Sequence, residues 1–379
     1  MNQRNKLRVL HIGKYYPPYK GGMETLLEVL CRELSAAVDI EVLVSNTEPK
    51  TVTCSDNEIH VKKAATFFNY DNAPICPGMI REIQKTKADI LHLHYPNPMG
   101  VLACLLSGFK GPIIVSYHAD IVRQNPFTKP FECLLHHLLK RCAVIIGATE
   151  NYLRTSPIVQ PYHKKCQIIP YAISKSLLDQ VDFEKVSAIR KQYGPNLLLS
   201  VGRLVDYKGL PYLVRAIQET SAKLLIIGDG PKRRELGLEI ERLNLKDRVF
   251  LLGEVEDTTP FFHACDVFVL PSIHRAEAFG IVQLEAMACG KPVINTQIDS
   301  GVPFVSLHEV TGLTVPPKDP QALAGAINRL MENEPLRKKY GEAGRKRVET
   351  EFNLHQMTQK ILNIYSAVSQ SPRISSVSS

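Results

Sequence analysis

"VFVLPSIHRAEAFGIVQLEAMACGKPVINT", residues 267–296, reads as one strand–helix–strand unit. VFVLPS (267–272) and KPVINT (291–296) are short apolar runs of strand length. Between them IVQLEAMAC (281–289) has helical character and stops at Gly290, a residue suited to the left-handed position past a helix end. HRAEAFG (274–280) is loop-like. Glu277 and Glu285 stand eight positions apart. On one ideal helix that spacing rotates them about 80° past two full turns, off a common face. With Glu277 on the loop and Glu285 on the second turn of the helix, both carboxylates can flank one helix N-terminus.

The same alternation extends over the chain. In the first half LRVLHIG (7–13), DIEVLVS (39–45), ADILHLHY (88–95), GPIIVSYHA (111–119) and AVIIGAT (143–149) read as buried strands, with a helix expected over METLLEVLCREL (23–34). After residue 170 the pattern restarts with NLLLSVG (196–202), AKLLIIGDG (222–230) and RVFLLGE (248–254). Strand-length runs separated by helical segments indicate parallel sheets with crossover helices. A chain of 379 residues exceeds the usual single core, so two α/β domains are expected. The expected division is 1–172, 173–353, a further helix over 354–368, and a disordered serine-rich tail over 369–379.

Composition narrows the class. No run approaches 18 apolar residues, and the N-terminal apolar run is too short for a signal-peptide core. Nine cysteines without any Cys-x-x-Cys spacing fit reduced thiols, so a cytoplasmic location is expected. The net charge of +8 sits mostly in the first 170 residues, where 20 Lys and Arg oppose 14 Asp and Glu. A basic half suits nucleic acid, an anionic membrane or a phosphorylated substrate, or is simply a solvated surface. The basic residues are not clustered beside aromatics, so no nucleic acid is expected.

Open parallel sheets bind ligands at the carboxyl ends of their strands. After NLLLSVG come Arg203 and Lys208, two cations on a loop leading into a helix, where unpaired N–H groups favour an anion. A capping arginine and a solvated lysine would give the same spacing. Carboxylates such as Glu277 and Glu285 suit sugar and ribose hydroxyls because each accepts two hydrogen bonds. The N–H groups of Phe279, Gly280 and Ile281 would then face the anionic part of the ligand. Gly21 and Gly22 precede the first helix and would admit a ligand to the backbone, or make a plain turn. His118 and Asp120 follow a strand, and His92 and His94 share a strand face without a ligand partner at metal-binding spacing. No metal site is expected. Neither a Gly-x-Gly-x-x-Gly nor a Walker motif occurs, which disfavours nicotinamide and P-loop chemistry.

GRLVDYKG, GDGP, HRAEAFGIVQLEAMACGKPVI and EVTGLTVPPKDP together resemble the retaining glycosyltransferases called group 1 or family 4. The similarity runs from the Gly-Gly loop to the last helix. It implies a GT-B fold: two Rossmann-like domains across a cleft, the first for the acceptor and the second for a nucleotide sugar, with the last helix returning to the first domain. It further implies that Arg203 and Lys208 grip the donor diphosphate, that Glu277 meets sugar hydroxyls and Glu285 the ribose. Gly22 would approach the phosphate, and His118 would sit beside the reacting sugar. No Asp-x-Asp pair occurs, so these cations and helix N-termini, not a metal, would neutralise the diphosphate. One departure is Tyr171-Ala-Ile-Ser174, where the family often has an Asn-Gly-x-Asp turn.

The expected reaction is transfer of a hexose to a saccharide or lipid-linked acceptor in surface polysaccharide or glycolipid synthesis, without a cofactor. The resemblance favours GDP-mannose as donor, with UDP-hexoses next. FTKPFECLLHHLLKRC (127–142) mixes apolar and basic residues, suiting either a crossover helix or peripheral contact with an anionic inner membrane face. A sugar-nucleotide epimerase and a non-catalytic sugar-nucleotide-binding protein are the alternatives.

Overall fold

The computed structural model describes residues 6–19, 21–56, 59–70, 73–121, 128–174 and 181–370. The chain divides into two compact units, one running to Tyr171 and resuming at Leu354, the other spanning Ala172–Asn353.

The first unit is built on an eight-stranded sheet. Its strands are β1 (Arg8–Ile12), β2 (Asp39–Ser45), β3 (Val52–Asp56), β4 (Ile59–Ala64), β7 (Ile90–Tyr95), β8 (Ile113–Tyr117), β9 (Val144–Gly147) and β10 (Cys166–Ile168). They lie in the order β10-β9-β8-β7-β1-β2-β4-β3. Every pair is parallel except β3 with β4. β5 (Phe68–Tyr70) and β6 (Ala73–Ile75) form a separate antiparallel pair. All residues of β7 and β8 are buried, as expected of a central strand covered on both faces. Helix Gly22–Ser35 buries Leu26, Leu27, Leu30 and Leu34 at helical spacing. Helix Leu354–Gln370 buries Met357, Ile361, Ile364 and Tyr365, and belongs to this unit although it follows the other in sequence.

The second unit carries β11 (Leu197–Val201), β12 (Lys223–Ile227), β13 (Val249–Gly253), β14 (Val267–Leu270), β15 (Val293–Thr296) and β16 (Gly312–Val315). The sheet is wholly parallel in the order β13-β12-β11-β14-β15-β16. From β11 the chain winds outward through β12 and β13, then returns to β14 on the other side. The topological switch point is therefore between β11 and β14, where a parallel sheet opens a crevice for ligands.

Several details depart from the sequence expectations. β3–β6, β10 and β16 were not anticipated; they are short, edge or half-exposed runs without a strong apolar pattern. The last helix continues to Gln370, so residues 369 and 370 are helical, and 371–379 lie outside the described residues. Helix Thr128–Arg141 directs Leu135, Leu138 and Leu139 into the core, as a crossover helix does. Arg141 donates to the carbonyls of Cys104 and Phe109, and Phe127 lies outside the described residues. Among the described residues no helix is long and apolar enough to cross a membrane.

Candidate functional site

The loops after β11 and β14 meet at the switch point of the second unit. Leu198 of β11 pairs with Val267 of β14, so whatever follows the two strands emerges side by side. After β11 a single turn, Asp206–Lys208, ends at Gly209, whose φ of 67° is left-handed. A Cβ there would lie 2.1 Å from the Pro271 carbonyl oxygen, so the glycine lets the two loops touch. Ile273 N–H donates to Tyr207 O at 2.8 Å and fastens them together.

This contact sets the central feature. Lys208 Nζ and Glu277 Oε2 are 2.6 Å apart, with side chains only 12% and 11% exposed. Ser272 Oγ donates to the same carboxylate oxygen at 3.1 Å. Burial alone would lower the Lys208 pKa, but the Glu277 carboxylate and Tyr207 outweigh it, and the ammonium is held above its ordinary value. Burial raises the Tyr207 pKa, with Glu277 pushing the same way and Lys208 and Arg203 opposing, so this ring lies within the field of all three charges. Arg203 is exposed and its guanidinium has no ion-pair partner among the described residues. The site therefore holds one neutralised cation and one available cation.

Helix Val282–Ala288 begins one residue later than the sequence suggested, which puts Glu285 in its first turn rather than its second. Glu285 is partly exposed yet closely surrounded, and desolvation raises its pKa to about 7. Gly280 has a φ of 72°, and a Cβ there would strike Leu270 Cδ2 at 2.6 Å. The N–H groups of Gly280 and Ile281 have no protein acceptor among the described residues. The Phe279 side chain is core, packed edge-to-face on Phe352 at 6.1 Å, so only its backbone can serve a ligand. Gly290 has the left-handed φ, 68°, of a residue past a helix end.

In the first unit Gly21 immediately precedes helix Gly22–Ser35. A Cβ on Gly21 would lie 2.2 Å from Glu24 Oε2, because the buried Glu24 carboxylate folds against the helix start. Burial raises the Glu24 pKa, while its own backbone N–H and Lys14 partly offset this. His118 follows β8, and both ring nitrogens are engaged: Nε2 lies 3.0 Å from His94 Nδ1 and Nδ1 lies 2.5 Å from the Tyr171 hydroxyl. Tyr117 and Ser156 hydroxyls donate to Asp120. His92 and His94 do share a face of β7, and His11 of β1 joins them to form a buried cluster whose potential ligand atoms lie within 4.8 Å of one another.

Sequence reasoning missed Tyr207, Ser272, Glu24, His11 and Tyr171. Only Tyr171 left a signal, as the first residue of the altered turn.

Two family models match the chain: Glycosyl transferases group 1 over residues 182–347 and Glycosyltransferase Family 4 over residues 20–174. O-antigen chain mannosyltransferase C of Escherichia coli is 31% identical over 373 residues, covering 96% of this chain and 100% of its own. D-rhamnosyltransferase WbpZ of Pseudomonas aeruginosa is 31% identical, covering 86% and 87% respectively. Among solved structures, sucrose-phosphate synthase from Thermosynechococcus elongatus has a TM-score of 0.82 over 97% of this chain and 100% of that one, at 21% identity. HepE of Anabaena, in complex with UDP-glucose, reaches 0.77 over 95% and 100%, at 20% identity. Identities that low speak for the fold alone, which is GT-B.

Proposed function

Because the chain belongs to the group 1 glycosyl transferases, we propose that it moves a hexose from a nucleoside diphosphate sugar to a saccharide or lipid-linked saccharide with retention of configuration. The observation that carries this is the enclosed Lys208–Glu277 pair at the switch point, with Arg203 open beside it. A cation and an acid held together in one crevice match a ligand that is anionic at one end and hydroxylated at the other.

On donor binding Lys208 and Arg203 meet the diphosphate, and Glu277 accepts from sugar hydroxyls. Glu285 accepts from the ribose. As the bond between the anomeric carbon and the diphosphate oxygen breaks, the electron pair leaves with the diphosphate and positive charge develops on the ring. The two cations and the N–H groups of Gly280 and Ile281 stabilise the leaving group. The acceptor hydroxyl attacks from the face the diphosphate leaves, and the departing oxygen takes its proton. Gly22 approaches the donor phosphate and His118 stands beside the reacting sugar in the same scheme.

GDP-mannose is the favoured donor, supported by the resemblance to mannosyltransferase C; UDP-hexoses follow. The same relative supports an acceptor in surface polysaccharide synthesis. Peripheral contact with an anionic bilayer would rest on Lys129, Leu134 and Lys140, which remain exposed on helix Thr128–Arg141. Flotation with vesicles tests it, and binding indifferent to anionic lipid rejects it.

Thermal shift against GDP, UDP and ADP sugars tests the donor, since a ligand of the native state raises its stability by mass action. GDP-mannose is expected to give the largest shift and to release GDP when a saccharide acceptor is added. A shift with no nucleotide release would leave a binding protein, and conversion of the donor alone would leave an epimerase.

A further inference from the structure

Four buried histidines, the buried Tyr365 and the half-buried Tyr171 of the first unit form one unbroken hydrogen-bonded line. Tyr171 Oη meets His118 Nδ1 at 2.5 Å, and His118 Nε2 meets His94 Nδ1 at 3.0 Å. His94 Nε2 meets His11 Nδ1 at 3.0 Å, and His11 Nε2 meets Tyr365 Oη at 3.1 Å. Tyr365 Oη then meets His92 Nδ1 at 2.6 Å, and His92 Nε2 meets Ser116 Oγ at 2.8 Å. Residues from β1, β7, β8 and the last helix are thus joined end to end.

A neutral imidazole has one N–H and one bare nitrogen. Each contact in the line needs one proton, so fixing the proton of any ring fixes those of its neighbours. Only two arrangements fill every contact and also give the Tyr365 hydroxyl proton a partner in the line, and they run in opposite directions. A third, with Tyr365 Oη accepting from both His11 and His92, leaves that hydroxyl proton without a partner in the line, and every other mixture leaves one buried contact with two protons or with none. Burial keeps the rings neutral: it lowers His11 to about 3 and His118 to about 4, and takes His92 and His94 well below the ordinary histidine value.

The distances choose between the two. Hydroxyl donors make shorter bonds than ring N–H donors. The two shortest contacts, at Tyr171 and Tyr365–His92, are both short if the tyrosine hydroxyl donates to Nδ1. The same direction makes His11 Nε2–H the donor to Tyr365, at the longer 3.1 Å. The contacts at the two tyrosines therefore agree on one direction, the one that puts the proton of all four histidines on Nε2.

We propose that Tyr365, His11 and His94 are positioning residues for sugar transfer, which fix the proton of His118 on Nε2 and hold its Nδ1 as the acceptor for Tyr171. This rests on the proposed place of His118 beside the transferred sugar. A cationic imidazole there would oppose the positive charge developing on the ring, whereas a neutral one locked in one tautomer does not. Tyr171 is the departure from the family turn, and His118 is what it grips.

Long-range nitrogen–proton NMR on histidine-labelled protein reads each tautomer directly. The wild type is expected to show Nε2–H at His11, His92, His94 and His118. Tyr365→Phe removes the hydroxyl that joins His11 to His92, with His94 and His11 standing between it and His118. It is expected to redistribute the His118 tautomer and to lower kcat at least about tenfold while the donor KM changes less than about twofold. A His118 carrying Nδ1–H in an active wild type overturns this inference alone, and so does a Tyr365→Phe protein with altered tautomers but undiminished transfer. A tightly held metal ion at one per chain also overturns it, because a cation on the His11–His94 pair would displace their shared proton. If Tyr365→Phe does not fold, the wild-type spectrum decides. A wild type that transfers sugar from no nucleotide donor overturns the transferase reading, and this inference with it.

Discussion

Lys208 and Glu277 come from loops almost seventy residues apart, yet their charged atoms are 2.6 Å apart in a nearly closed environment. Removing one partner of such a pair leaves the other charge buried without compensation. Lys208→Ala is expected to cost about 3–5 kcal/mol in unfolding free energy, measured with urea. Adding Glu277→Gln to that variant should recover part of the loss. Strictly additive losses would mean the two groups do not interact. Transfer by a folded Lys208→Ala protein should fall more than about tenfold, since a charged hydrogen bond contributes at least about 1.5 kcal/mol.

Glu285 gives a pH dependence of definite sign. Its folded pKa of about 7 lies above the ordinary 4.5, so the folded protein binds the proton more tightly than the unfolded chain. Stability must fall as pH rises through that interval, by at most about 3 kcal/mol. Glu285→Gln should flatten the slope. Affinity for the nucleoside diphosphate should instead rise with pH between about 6 and 8 in the wild type, because only the carboxylate accepts both ribose protons. An equal rise in Glu285→Gln, read by calorimetry, would remove Glu285 from the ribose contact.

The buried histidines work in the opposite direction. His94 is held well below the ordinary histidine value, chiefly by burial and then by its histidine neighbours. The unfolded chain therefore takes up a proton that the folded one refuses, and stability falls as pH drops below the unfolded value of about 6.5. His94→Gln should reduce the acid slope by about 1.4 kcal/mol per pH unit. Unfolding curves collected from neutral to acid pH check this, and an unchanged slope would show that His94 is protonated in the folded protein.

Gly209 is expected to tolerate no side chain. Its left-handed φ costs an L-residue about 1–2 kcal/mol, and the added carbon meets the Pro271 carbonyl, which cannot swing aside. Gly209→Ala should lower both the melting temperature and donor affinity, because the loop after β11 can then no longer lie against the loop after β14. Gly237→Ala, in helix Arg233–Arg242 with open space around it, is the control: it should leave donor affinity unchanged and raise the melting temperature slightly, since alanine costs a helix interior less than glycine does.

Much of the fold was legible because its central strands are continuous apolar runs with polar residues placed just after them. VFVLPS and NLLLSVG announced both β14 and β11 and the loops that carry Glu277, Arg203 and Lys208. What could not be read was adjacency. Nothing in the spacing shows that β11 and β14 are neighbours, so the pairing of Lys208 with Glu277 was invisible, as was the contact of Ser272. Likewise His11 is one histidine in an apolar strand, and only the parallel register of β1 with β7 sets it across from His92. Glu285 was placed in the second turn instead of the first because nothing in the sequence between Gly280 and Val282 fixes the helix start, which lies one residue later than expected.

The return of helix Leu354–Gln370 to the first unit also sets an order of manufacture. A ribosome emits β1, β7 and β8 long before it reaches Tyr365, and throughout that interval His11 and His92 lack the hydroxyl that joins them. The half of the protein made first is therefore the half finished last. A nascent chain arrested before residue 354 should hold a completed second sheet beside a first one still open on its histidine face.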